Sequence, residues 1–196
     1  QKLWSRRFNL RNIEMTKSLE IKNSFLENNK VKNTHKINFI LDNIKNNLDN
    51  KNAFHFLSKK FKLNFKTSNL KKFKKYNSIV VLGMGGSILG AKAIHTFLRD
   101  KIKKDFIFID DLDASLLKNL YKKKKKDLLF IIISKSGNTL ETIVNINLLA
   151  SFNINKSNTI IITEKKNNTL VKFAKDKNIF FIEHKNYIGG RYAVLS

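Results

Sequence analysis

The chain has 196 residues, with 39 Lys and Arg against 15 Asp and Glu for a formal net charge of +24, and it contains neither Cys nor Pro. That length allows one α/β domain with an appended segment and enough buried core to fold. The missing Cys excludes disulfides and thiolate metal sites, the four His lack metal-ligand spacing, and the longest wholly apolar run, Leu128 to Ile133, is too short to cross a bilayer.

Residues 1–76 contain neither Gly nor Pro and carry helix-like apolar spacing at Ile37, Ile40, Leu41, Ile44 and Leu48, which predicts a helical lead-in. From residue 77 the pattern changes. Short β-branched runs at Ile79–Leu82, Phe106–Ile109, Leu128–Ile133, Thr159–Thr163 and Ile179–Ile182 predict five strands. The segments 88–99, 114–121, 140–152 and 169–175 between them suit helices. Strands joined by helical crossovers imply an α/β fold, a five-stranded parallel sheet with flanking helices, over residues 77–183. In such sheets a ligand sits at the carboxyl ends of the strands. The chain starts at Gln1 rather than Met and stops inside an apolar stretch, Ala193-Val194-Leu195-Ser196, so both ends are expected to be artificial.

Two loops stand out at strand ends: Gly83-Met84-Gly85-Gly86-Ser87 and Ser134-Lys135-Ser136-Gly137-Asn138-Thr139. Small residues there let backbone approach an anion, and the following helix directs unpaired N–H groups at it. A dinucleotide fingerprint starting at Gly83 needs Gly at position 88, where Ile88 stands, although Asp110-Asp111 fall where an acidic residue would meet a ribose. The nucleotide P-loop pattern also misses, because Ala91 occupies the Lys position and Lys92 comes one residue late. Ser87 suits either a helix cap or a phosphate contact. The second loop is more specific, with three hydroxyls and an ammonium gathered around Gly137. Glu141 is open to an ordinary helix-start role as well. The positive charge comes almost wholly from Lys in a chain rich in Asn and Ile, as an AT-rich genome produces, so it reads as compositional. No nucleic-acid or membrane partner is expected on that basis, and the Lys122–Lys126 run reads as a solvated connection.

The series Gly83-Met84-Gly85-Gly86-Ser87-x-x-Gly90, then Ser134 to Thr142, then Gly189-Gly190-Arg191-Tyr192-Ala193-Val194-Leu195-Ser196 resembles the phosphoglucose isomerase family. The first two motifs belong to the wider sugar isomerase (SIS) domain superfamily, flavodoxin-like in fold, and the third is the more specific to the family. The resemblance implies that Gly86, Ser87, Ser134, Lys135, Ser136 and Thr139 hold the phosphate of a sugar phosphate. It implies that Arg191 stabilises charge on an enediolate and that Gly189 and Gly190 let backbone pass close to the sugar. Tyr192-Ala193 departs from the family's aromatic-Ser pair. The family's carboxylate base and ring-opening His follow the Gly-Gly-Arg motif, so His184, Glu183 and Glu164 match neither, and the chain alone is expected to be inactive. Implied with it are aldose–ketose isomerisation of glucose 6-phosphate and fructose 6-phosphate without a cofactor, and a homodimeric full-length protein; a cytoplasmic location and the lack of a metal are expected from the missing Cys, the His spacing and the absence of a long apolar run. Residues 184–196 then begin the connection out of the SIS domain. An alternative is a phosphosugar-sensing transcription regulator, in which 1–76 would bind DNA; that segment lacks the Gly common in helix-turn-helix motifs.

Overall fold

A computed structural model describes residues 34–52 and 54–190. The chain divides into two units between Leu41 and Asp42, and of the helical lead-in expected over residues 1–76, residues 1–33 lie outside the described residues. Helix α1 spans Thr34–Asn46 and carries the expected apolar spacing. Among the described residues of the lead-in, the helix does not continue beyond Asn46. Beyond Asn46 the Asn side chains compete for the backbone: Asn47 Nδ2 donates to Asn43 O, Asn52 Nδ2 donates to Asn47 O, and Phe54 N donates to Asn52 Oδ1. Only short 3-10 turns follow, at His55–Leu57 and Thr67–Phe73.

The sheet begins at Ser78. Strands β1 (Ser78–Gly83), β2 (Asp105–Ile109), β3 (Leu128–Ile133), β4 (Thr159–Thr163) and β5 (Phe180–Glu183) pair in parallel in the order β2-β1-β3-β4-β5. Between them run α2 (Gly86–Phe97), α3 (Ala114–Tyr121), α4 (Leu140–Leu148) and α5 (Thr169–Asp176). The predicted five-stranded parallel sheet is therefore present. α2 starts two residues earlier than its apolar spacing suggests, because Gly85 at φ +51° turns the chain straight from strand to helix. Asn178, at φ +50°, makes the turn that enters β5 one residue late.

Parallel strands buried on both faces need apolar residues at every position, and β3 supplies them. Leu128, Phe130 and Ile132 face a core completed by Leu120, Ile146, Leu149 and Leu170 from α3, α4 and α5 and the turn that follows α4. The opposite face packs Leu129 and Ile160 against Phe73 and Tyr76 from the segment before the sheet. Tyr76 keeps its hydroxyl satisfied by donating to Ser157 O at 2.9 Å. Burial of each such side chain contributes on the order of 1.5–3 kcal/mol.

Candidate phosphate-binding site

The strand order reverses between β1 and β3, since the chain leaves β1 toward β2 on one side and returns to β3 on the other. That reversal opens a crevice at the carboxyl ends. The register sets Gly83 opposite Ile133, so the loops after β1 and β3 leave the sheet side by side. Gly83 is required there, because a Cβ would lie 3.0 Å from Ile133 O and 3.2 Å from Ser87 Cβ. Ser87 is the second residue of α2 rather than its cap, and its hydroxyl makes no hydrogen bond among the described residues. Its backbone N–H donates to Met84 O at 3.0 Å.

In the loop after β3 the hydroxyls meet. Thr139 Oγ1 lies 3.0 Å from Ser134 Oγ and 3.2 Å from Ser136 Oγ. Gly137 N donates to Ser134 Oγ and Asn138 N donates to Ser136 Oγ, each at 3.2 Å. Thr139 is the N-cap of α4 but its side chain makes no capping bond, being engaged by the two serines instead. The hydroxyl cluster thus sits at the positive end of α4. Ser134 is buried and Ser136 exposed, so the cluster runs from floor to rim.

Two asparagines fix the loop to α5. Gly137 adopts φ +69° and lies so close to Asn168 that a Cβ would fall inside the carboxamide. Asn168 caps α5 through Val171 N at 2.8 Å and donates to Glu164 O at 3.1 Å. Asn138 Oδ1 accepts from Thr169 N at 2.8 Å and Thr169 Oγ1 at 2.9 Å. These partners stand 31 residues apart in sequence.

Lys135 ties the loop to the segment that precedes the third motif. Its Nζ donates to Asn186 O at 3.2 Å and lies 3.5 Å from Glu164 Oε1. Glu164 also meets Lys166 at 2.6 Å. The hydrogen bond from Lys166 holds the Glu164 carboxyl below its usual range, with the charges of Lys166 and Lys135 adding to it. The segment leading to Gly189 is held by buried Ile188 and by the Tyr187 ring, edge-on to His55 at 6.1 Å. Gly189 and Gly190 follow, and a Cβ on Gly190 would meet open space. Arg191 lies outside the described residues.

Ser134, Ser136 and Thr139 therefore form one cluster, Lys135 joins it to the Gly-Gly segment, and Gly86 and Ser87 start the helix after the adjacent strand. Sequence reasoning missed Glu164, Asn138 and Asn168 as supports. The only signal for them was position, at or near the carboxyl ends of β3 and β4. His184, just past β5, is buried, its Nδ1 lies 2.9 Å from Lys185 O, and its Nε2 has no partner among the described residues. Burial pushes the His184 imidazole below its ordinary range, and the Lys135 charge acts the same way. Asp110, the acidic residue suited to a ribose, is paired with Lys92. No group of His, Asp and Glu among the described residues is arranged to hold a metal, and no described helix is long and apolar enough to cross a membrane.

A glucose-6-phosphate isomerase of Borreliella burgdorferi is 37% identical over 149 residues, 68% of this chain and 27% of that protein. The glucose-6-phosphate isomerase of Methanocaldococcus jannaschii is 37% identical over 138 residues, 65% of this chain and 33% of that protein. The chain thus spans about a third or less of the curated relatives it matches. The crystal structure of a glucose-6-phosphate isomerase from Chlamydia trachomatis superposes with a TM-score of 0.56 at 19% identity, covering 77% of this chain and 28% of that one, which shows a shared fold. The family profile described as Phosphoglucose isomerase matches residues 11–196, and that span takes in both strand-end loops and the Gly-Gly-Arg motif. A hydroxyl-lined loop at a helix start, on a switch-point sheet and within a family match of that extent, places this chain in the phosphoglucose isomerase family.

Proposed function

We propose that this chain grips the phosphate of glucose 6-phosphate and fructose 6-phosphate for their interconversion through an enediol(ate). The reading is carried by the Ser134-Ser136-Thr139 hydroxyl cluster at the start of α4, with the Lys135 ammonium beside it. Hydroxyls donate to phosphate oxygens, the helix end and Lys135 offset the dianion's charge, and Gly86 and Ser87 supply a second helix start. Binding the unreactive phosphate fixes C1 and C2, so that remote binding energy is used for orientation. In the reaction the C2 proton moves to C1 and the O2 proton to O1, so that the C1 aldehyde becomes a primary alcohol and the C2 carbinol becomes a ketone. Arg191 is assigned to the oxyanion that develops on the enediolate, a task that suits a permanently charged guanidinium. No residue of this chain matches the family's base or ring-opening group, so the 196 residues alone are assigned binding without turnover.

Residues 77–183 are assigned as the first SIS domain, 1–76 as its lead-in and 184–196 as the exit connection. The whole protein is assigned as a cytoplasmic homodimer. The regulator reading is disfavoured because the family match begins at residue 11, inside the segment that would have to bind DNA. Two measurements test the assignment. Titration of the chain with glucose 6-phosphate and with glucose is expected to show binding of the phosphate ester alone, weakened about tenfold or more by Thr139→Val. In the full-length gene product, Arg191→Ala is expected to lose most of kcat with a smaller change in KM. Equal affinity for glucose, or equal turnover by the Arg191 variant, overturns the reading.

A further inference from the structure

The lysines are not spread evenly over the sheet. Five connections enter the strands at its amino edge, residues 70–77, 99–105, 121–127, 153–158 and 175–179, and five leave at the carboxyl edge, residues 83–86, 110–113, 134–139, 164–168 and 183–190. The entering set holds sixteen Lys and Arg against four Asp and Glu, a net of +12. The leaving set holds four against five, a net of −1. A codon bias toward Lys loads every solvated loop alike and does not distinguish two ends of one sheet. Helix dipoles favour a cation in the last turn of each helix, which accounts for single residues such as Lys175 and not for runs. The anionic ligand assigned above belongs at the other edge, so it does not account for them either.

The charge is also focused within its edge. β1 and β3 are hydrogen-bonded neighbours with Ser78 opposite Leu128, so the Lys71–Lys75 and Lys122–Lys126 segments enter the sheet side by side. Strands there stand about 4.8 Å apart. Two aromatic rings flank the row. Phe97, the last residue of α2, is 87% exposed, and Tyr121, the last of α3, is 57% exposed with its ring against Phe152. α2 covers the sheet face of Phe106 and Phe108, and α3 the face of Phe130, so the rings bracket the lysines from opposite sides. Lysine rows beside exposed rings are how proteins track single strands without reading sequence. A bilayer would instead want the apolar groups together in one plane.

We propose that the amino edge of the sheet binds the sugar-phosphate backbone of a single-stranded nucleic acid, with Phe97 and Tyr121 stacking on bases. This site is separate from the phosphate loop and stands or falls independently of the isomerase assignment. The full chain is titrated by fluorescence anisotropy with labelled 20-nucleotide oligo(U) and oligo(dT), and by sedimentation with phosphatidylserine vesicles. Binding to either oligonucleotide is expected, with the affinity falling on the order of fifty-fold between 50 and 200 mM salt for about four phosphate contacts. The stronger of the two identifies RNA or DNA as the source. Lys74→Glu/Lys124→Glu is expected to weaken it tenfold or more, whereas Lys165→Glu/Lys172→Glu, an equal change of net charge elsewhere, changes it less than threefold. Phe97→Ser is expected to weaken oligonucleotide binding about fivefold while leaving binding of inorganic polyphosphate unchanged. Equal losses in the two charge variants, no effect of Phe97→Ser, or binding to vesicles alone overturns the proposal.

Discussion

Gly137 shows how little freedom the loop after β3 has. Its φ of +69° is a left-handed conformation, and its α-carbon lies against the carboxamide that caps α5. An alanine there meets backbone strain of about 1 kcal/mol and forces Asn168 aside, releasing a cap worth about 1 kcal/mol. Gly137→Ala is therefore expected to lower stability by roughly 2–4 kcal/mol in urea unfolding. The strain and the displaced cap separate in a double-mutant cycle. If Asn168 is the obstacle, Gly137→Ala costs less in an Asn168→Ala background than in the native chain. Additive losses would show that the carboxamide is not what the methyl group meets. Gly83 follows a different logic: its need for no side chain comes from the close approach of Ile133 O and Ser87, with no positive φ involved.

At the scale of elements, two apolar side chains of similar size make opposite predictions. Ile132 in β3 is fully buried between helices, and Leu140 at the first turn of α4 is 70% exposed. Ile132→Ala is expected to cost about 2–5 kcal/mol from lost burial and the cavity left behind, and Leu140→Ala less than about 0.5 kcal/mol. Chemical denaturation of the two variants checks both. Strands such as β3 were legible in the sequence because six consecutive large apolar residues, four of them aromatic or β-branched, suit a strand buried on both faces. Helix α3 was legible to the residue. The end of α1 at Asn46 was not, because apolar spacing says where a helix can pack and not where asparagines will take its backbone bonds. In the site, the hydroxyl-rich loop announced itself by density alone. Its supports did not, since Asn138 with Thr169, and Lys135 with Glu164, are joined only by folding. Periodicity has no means of seeing a contact across 31 residues.

For the whole molecule, acid should act through the same corner of the fold. His184 is buried, with its imidazole held below the ordinary value of 6.5 by burial first and by the nearby Lys135 charge. The Glu164 charge opposes this, and the carbonyl of Lys185 accepts from Nδ1 and opposes it too. The unfolded chain therefore binds a proton at this His more readily than the native one. Stability is retained above 6.5 and falls as the pH drops through it, toward the lower native value. Glu164 behaves as a depressed carboxylate, so what it contributes is present above its ordinary value of 4.5 and is lost below it. The two windows do not coincide, which makes them separable. The unfolding free energy from urea titration is expected to decline between pH 7 and 5.5, by no more than about 1.4 kcal/mol per pH unit for one proton. His184→Phe, which carries no proton, should flatten that first decline while leaving the second, below pH 4.5, in place; Glu164→Gln should leave the first and reduce the second, which Asp49 and Asp113, also held low by hydrogen bonds, share. A wild-type profile that is level from pH 7 to 5.5, or one that keeps its slope in the His184 variant, would mean that another group governs the acid response.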